Sequence, residues 1–119
     1  MVFYVYLSIL SSSAINSQLI NSIEKLGPFG NKNSYPIFLL QDIKIINPSV
    51  IQNRFIKCFV KKDKKIFKSI SFNHIKSKIS YEIINSKNNF DILVKVKKNT
   101  WNNKSNIELE IIDLVKKIN

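Results

Sequence analysis

From Ala14 onward the apolar residues Ile15, Leu19, Ile23 and Leu26 recur at spacings of four, four and three, which is one face of an α-helix. One of Ser11, Ser12 and Ser13 is placed to cap its start, and Gly27-Pro28 closes it, as glycine followed by proline does at helix ends. Ahead of the serines, residues 2–10 are apolar, with three aromatics and two valines in the five positions after Met1, and they read as a strand. They lack the basic flank and small-residue cleavage site of a secretory signal. Beyond Pro36 the pattern changes to period two in β-favouring residues, predicting strands over residues 37–46, 50–60 and 65–73. Asn47-Pro48 and Lys62-Asp63-Lys64 mark the turns between them. Ile75, Ile79 and Ile83, each four apart, predict a short helix over residues 74–85. Two more strands follow over residues 90–98 and 106–115, joined through a loop at residues 99–105.

Three strands, a helix and two strands are the order of an OB-fold, a five-stranded Greek-key β-barrel with a helix between strands 3 and 4. The expected class is therefore all-β with minor helix, the barrel being preceded by an N-terminal strand and helix. Residues 1–36 carry the strand, the helix and a Pro/Gly loop leading into the barrel, and residues 37–119 form the OB barrel of one domain. Both glycines and two of the three prolines lie between Gly27 and Pro36, so backbone freedom is concentrated in that loop. If Gly30 needs a positive φ, Gly30→Ala destabilises by more than the ~1 kcal/mol of a neutral site. No stretch reaches the ~18–20 apolar residues of a membrane-spanning helix. With no targeting signal and no membrane segment, the expected compartment is the cytoplasm.

Charge adds a partner class. The 119 residues carry 19 Lys plus Arg against 8 Asp plus Glu, a formal net charge of +11, which suits a polyanion. Only Arg54 is an arginine, and Ile, Lys and Asn dominate, the residues that A/T-rich coding favours. The lysine excess is therefore open to a coding explanation as well as a functional one, and position rather than total must locate a site. A single cysteine, Cys58, excludes an intramolecular disulfide and any Cys-built zinc site. A single histidine, His74, excludes a multi-His metal centre. Asp42, Asp63, Asp91 and Asp113 are scattered, and no Ser-His-Asp order, Gly-rich phosphate loop or HExxH motif is present. No catalytic residues and no metal ligands are expected in this chain.

Two lysine groups stand out. One surrounds the turn between the second and third barrel strands: Lys57, Lys61, Lys62, Lys64, Lys65 and Lys68, opposed by Asp63. The other is Lys95, Lys97, Lys98 and Lys104, beside Trp101. In the strand over residues 90–98, Ile92, Val94 and Val96 point one way, while Asp91, Leu93, Lys95 and Lys97 point the other. OB-folds hold single strands with a basic groove along the phosphates and aromatics stacked on bases, at ~1–3 kcal/mol per base. Phe55, Phe67, Tyr35 and Trp101 are the candidate stackers. For Phe55, Phe59, Phe67 and Phe72, all in strands, core packing is the favoured reading. The lysines have a second reading too, as guards against edge pairing.

The loop carries a resemblance. Leu26-Gly27-Pro28-Phe29-Gly30-x-x-Asn33-x-x-Pro36-x-Phe38 resembles the signature L-x-P-F-G-x-G-N-P-x-P-x-F that opens the C-terminal OB domain of the bacterial single-stranded-DNA-specific exonuclease RecJ. Ile70-Ser71-Phe72-Asn73 is similar to the family's strand before its helix. Asn99-x-Trp101-Asn102 with Glu108-Leu109-Glu110-Ile111-Ile112-Asp113 is similar to its N-x-W-x-G and Q-L-x-I-x-D blocks. Order and spacing match across about residues 15–115. Lys32 stands in place of the family's second Gly, Ser34 in place of Pro, Asn103 in place of the Gly after Trp, Phe55 in place of a His, and Glu108 in place of Gln.

The resemblance implies a single-stranded-DNA-binding module of a RecJ-type exonuclease of the DHH phosphoesterase superfamily, working in DNA repair and recombination. It implies that Mn²⁺ or Mg²⁺ chemistry resides in catalytic domains outside this sequence, which a chain with one histidine cannot contain. Expected partners are single-stranded DNA, the RecJ catalytic domains in cis or in trans, and single-stranded-DNA-binding protein, with no membrane. The expected DNA-binding residues are Phe55, Lys57, Lys61, Lys62, Lys65, Lys68, Lys95, Lys97, Lys98 and Trp101. Pro28, Phe29, Gly30, Asn33, Pro36 and Phe38 form a structural loop. The alternatives are a structural or protein-interaction domain packing on a separate RecJ catalytic chain, and an unrelated RNA-binding OB domain.

Overall fold

The computed structural model of the chain describes residues 8–29 and 35–115, the Trp101 side chain excepted. Of the expected N-terminal strand, the described part is the short β1 (Ile9–Leu10), and a 3₁₀ turn, Ser12–Ala14, follows it. Helix α1 (Ser17–Leu26) starts later than the Ile15 repeat implies. Its cap is Asn16, whose side-chain oxygen accepts the Leu19 N–H at 3.0 Å; none of the serines serves. Ile15 is consequently extended backbone before the helix, and the buried helical positions are Ile20 and Ile23, while Leu26 is exposed. At the other end Gly27 is extended, with φ −70° and ψ 176°, so no left-handed glycine ends this helix. Pro28 does, because the residue before a proline is pushed out of the helical region.

Strand β2 (Phe38–Ile51) runs straight through Asn47-Pro48, where the sequence pattern suggests a turn. Asn47 takes a left-handed φ of 50°, and the pairing steps from Ile46↔Phe59 to Ser49↔Lys57. One extra residue is thereby accommodated as a β-bulge, a position that admits proline within a strand. A second bulge lies between Leu40 and Ile43, where Asp42 has φ 57°. The two bulges bend β2 so that its first half pairs with one neighbour and its second half with another.

Hairpin β3 (Phe55–Lys62) and β4 (Lys65–Ser71) follows. Helix α2 (Lys78–Asn85) is capped by Ser77, whose hydroxyl accepts the Ser80 N–H, and it sends Ile83 into the core. The chain then forms β5 (Phe90–Trp101) and β6 (Lys104–Val115). Their hairpin is longer than the pattern predicts. Asn102 and Asn103 both take positive φ, 49° and 64°, as a two-residue type I′ turn requires, so pairing continues to Trp101↔Lys104.

The order β2-β3-β4-β6-β5 closes through β2–β5 into a five-stranded mixed barrel with α2 between its third and fourth strands. The β4–β6 pair is parallel, the others antiparallel, and β1 adds in parallel to β2. This is the OB architecture the element order predicts. Every second residue of each strand faces the interior: Leu40, Ile56, Val60, Ile92, Val94, Val96, Leu109 and Ile111 are almost wholly buried. Leu10, Ile15, Ile20 and Ile23 join the same cluster, so the N-terminal elements share the barrel core. No helix among the described residues is long and apolar enough to cross a membrane.

Candidate nucleic-acid interface

The inward residues of β3, Ile56, Cys58 and Val60, leave Phe55, Lys57, Phe59 and Lys61 facing out. Directly paired residues share a side of the sheet, so the register extends this face across the barrel. One row runs Ile46–Phe59–Lys68–Glu108–Lys97, and the next Ser49–Lys57–Ile70–Glu110–Lys95. Phe72, just past the Ile56↔Ser71 pair, lies against Phe55 with ring centroids 5.8 Å apart. Phe72 is 59% exposed and Phe59 36%. Neither is a core residue: Phe59 carries the outward parity of β3 and Phe72 continues that of β4 just past its end, which corrects the favoured reading. Phe67 has the inward parity, opposite Val60, and packs against the core, so it is no stacker.

Two adjoining grooves indent this face. One, of about 400 Å³, is lined by Lys57, Lys68, Asn99, Lys104, Asn106, Ile107 and Glu108. The other, of about 380 Å³, shares Lys57, Lys68, Asn99 and Glu108 and adds Phe59, Asn47 and Ser49. Lys57, Lys68 and Lys104 thus converge on one depression, with an aromatic ring at its side. Phe59, Phe72, Asn99, Asn106 and Glu108 escape the sequence reading as site residues. Counting parity outward from Phe55 would have found Phe59; Glu108 meets Lys68 only through the non-local β4–β6 pairing.

The expected lysine groups divide. Lys62 and Lys65 pair at the hairpin end, off the parity of Lys57, Lys61 and Lys68, and Lys62 Nζ donates to the Gln41 carbonyl at 2.7 Å. Lys97 Nζ is 2.6 Å from Glu110 Oε1, so much of its charge is matched within the fold. Lys98 has the opposite parity from Lys95 and Lys97 and pairs with Ile107. Trp101 pairs with Lys104 through its backbone, and its side chain lies outside the described residues, as do Gly30 and Asn33.

The rest of the loop packs. Phe29 is half-buried against the core, 4.8 Å from the Tyr35 ring. The Tyr35 hydroxyl donates to the Val96 carbonyl at 2.7 Å, on β5 beyond its pairing with β2. The ammonium groups of Lys95 and Lys97 stand 5.9 and 5.7 Å from the ring centre. Burial raises the Tyr35 phenol pKa, and Glu24 and Glu110 push it further up. Tyr35 is thereby occupied within the fold rather than presented to a base. Pro36 is half-buried and Phe38 buried at the start of β2, while Pro28, next to Gly27, is exposed.

Burial pushes the Cys58 thiol up to about 12, which leaves it without nucleophilic character at neutral pH. His74 Nδ1 accepts the Lys76 N–H at 3.1 Å, a turn contact. No group of three or more His, Cys, Asp or Glu among the described residues could hold a metal ion. A separate apolar hollow of about 250 Å³ lies between α2 and the β5–β6 pair, lined by Ile79, Phe90 and Leu114 with Lys78, Glu82 and Asp113.

Barrel closure and helix position define an OB-fold, and its second and third strands carry a basic, aromatic outer face. Residues 8–113 match the RecJ OB domain, and the chain belongs to that family. Two crystal structures of RecJ from Thermus thermophilus are similar in fold, one in complex with Mn²⁺ and one with Mg²⁺, each with TM-score 0.70 and 17% identity over 96% of this chain. The match covers 16% and 17% of those chains, so this sequence spans about one-sixth of their length. No curated protein sequence matches.

Proposed function

We propose that this chain is the single-stranded-DNA-binding OB module of a RecJ-type exonuclease, holding the strand while catalysis belongs to other domains. The observation that carries this reading is the outward series Phe55, Lys57, Phe59, Lys61 on β3. Residues two apart in a strand are spaced by roughly 6.7 Å, so the two rings are about 13 Å apart along it. That distance matches about four stacked nucleotides at 3.4 Å each, with a cation between the rings for the phosphates. Lys68 and Lys104 border the same depression. The divalent metals of the Thermus RecJ structures belong, in this reading, to the larger remainder of such an enzyme.

The test is fluorescence anisotropy of a labelled single-stranded oligonucleotide over a range of salt. Each neutralised phosphate contributes about −0.7 to the slope of log K against log salt. Replacing Lys57 and Lys68 together by alanine removes two such contacts and flattens the slope by roughly 1.4 (two times 0.7). An unchanged slope removes this face from the site. A second reading, packing on RecJ catalytic domains, draws on Tyr81 and Ile84, exposed together on the outside of α2. Failure to bind DNA at low salt favours it, since electrostatic attraction is then strongest.

A further inference from the structure

Glu108 is the anomaly of the basic face. Its cross-strand neighbours are Lys68 on β4 and Lys97 on β5, yet the ion pair on this face joins Lys97 to Glu110. Glu108 instead accepts a hydrogen bond from Asn99 Nδ2 at 3.3 Å through Oε2, and Glu108 is among the residues lining both grooves. A carboxylate there repels phosphate, so it has no use as a backbone contact. It does have a use for a base. Phe59 lines the same groove in the same cross-strand row, two strands away, or roughly 10 Å at about 4.8 Å per strand. A base stacked on Phe59 turns its edge along that row toward the carboxylate, while the lysines at the groove walls take the phosphates.

We infer that Glu108 selects the base bound in the groove, favouring those that present an exocyclic amino group, cytosine over thymine. The inference rests on the single-stranded-DNA reading above and adds a preference to it. The chemistry is a matter of sign. Cytosine offers its N4 amino group as a donor, which a carboxylate accepts; thymine offers its O4 acceptor at the same position, which a carboxylate repels. Asn99 holds one carboxylate oxygen, which fixes the orientation of the other. Both bases are pyrimidines, so stacking on Phe59 differs little between them and the edge decides.

Competition anisotropy with oligo-dC and oligo-dT of equal length, at mildly alkaline pH where cytosine stays unprotonated, tests this. The native chain should bind oligo-dC about fivefold more tightly, the size of one charge-assisted hydrogen bond made in partial competition with water. Glu108→Gln should bring the two affinities within about twofold while tightening oligo-dT, because a repelling charge is lost. Asp113→Asn, which removes the same charge beside α2, should leave the ratio intact. Equal binding of both oligomers by the native chain overturns the inference and leaves the DNA-binding reading standing. A ratio unchanged in Glu108→Gln overturns the role of Glu108 in the same way. Binding of neither oligomer overturns both readings.

Discussion

Truncating Phe59 to alanine separates what the outer face of the barrel does from what its core does. Phe59 sits between Cys58 and Val60, both buried, but it faces outward and the residue is 36% exposed. Removing a fully buried phenylalanine costs about 3–5 kcal/mol; an outward ring with a third of its surface in water should cost nearer 1–2 kcal/mol, a Tm decrease of several degrees. Binding should suffer more. Loss of one stacked base costs about 1–3 kcal/mol, a rise in Kd of about 5- to 150-fold. The assay pairs a thermal melt with anisotropy on a labelled single strand, both at low salt. Phe59→Trp is the companion variant: an indole stacks at least as well as a phenyl ring, so affinity should be retained or improved. A Kd for Phe59→Ala within about twofold of the native value refutes the stacking argument. So does a tryptophan variant that binds as weakly as the alanine one.

Other outcomes follow from the same structure. Ile56→Ala, on the opposite face of the same strand and wholly buried, should destabilise by about 2–5 kcal/mol in a denaturant melt. Gly27→Ala should change stability by less than about 1 kcal/mol, since Gly27 is extended and an added Cβ stands 3.4 Å from the Glu24 carbonyl, ordinary contact. Asn103→Val should destabilise, because Asn103 holds φ 64° and a β-branched residue tolerates that region poorly. Cys58 has a pH signature: its thiol rises from about 9 to about 12 on burial, so its protonated form supports the fold below pH 9. That contribution is lost as pH rises from 9 toward 12, because the unfolded chain gives up the proton first. A melt series through that range should show stability falling, with a shallower fall in Cys58→Ala.

Much of the barrel was legible because its signals are local. Ile79 and Ile83 located the helix between the third and fourth strands, although it starts at Lys78 and leaves Ile75 outside, and Ile92, Val94 and Val96 fixed the inward side of β5. The failures share a cause, which is conformation that no periodicity encodes. Pro48 reads as a strand breaker, yet the left-handed Asn47 beside it makes a bulge and the strand continues. Asn102-Asn103 reads as part of a seven-residue loop, yet it is a two-residue turn between paired strands. The candidate face was legible in composition and only partly in position. Lys57, Lys61 and Lys68 share the outer face, but Lys62 and Lys65 do not, because each step along a strand reverses the side. Glu108 reached the groove only through a parallel pairing between strands separated in sequence by α2 and β5.

The left-handed turns have a meaning at the level of the gene. Among the described residues, apart from Gln52, each non-glycine residue at positive φ is an asparagine or an aspartate: Asp42, Asn47, Asn53, Asp63, Asn102 and Asn103. Glycine would fit all these places, but its codons begin with two guanines, whereas asparagine is written with two adenines. A gene rich in adenine and thymine can therefore do with few glycines and still make the bends at Asn47, Asn53, Asn102 and Asn103. Lysine codons also begin with two adenines, so the asparagines that turn this chain and the lysines that charge it are written alike.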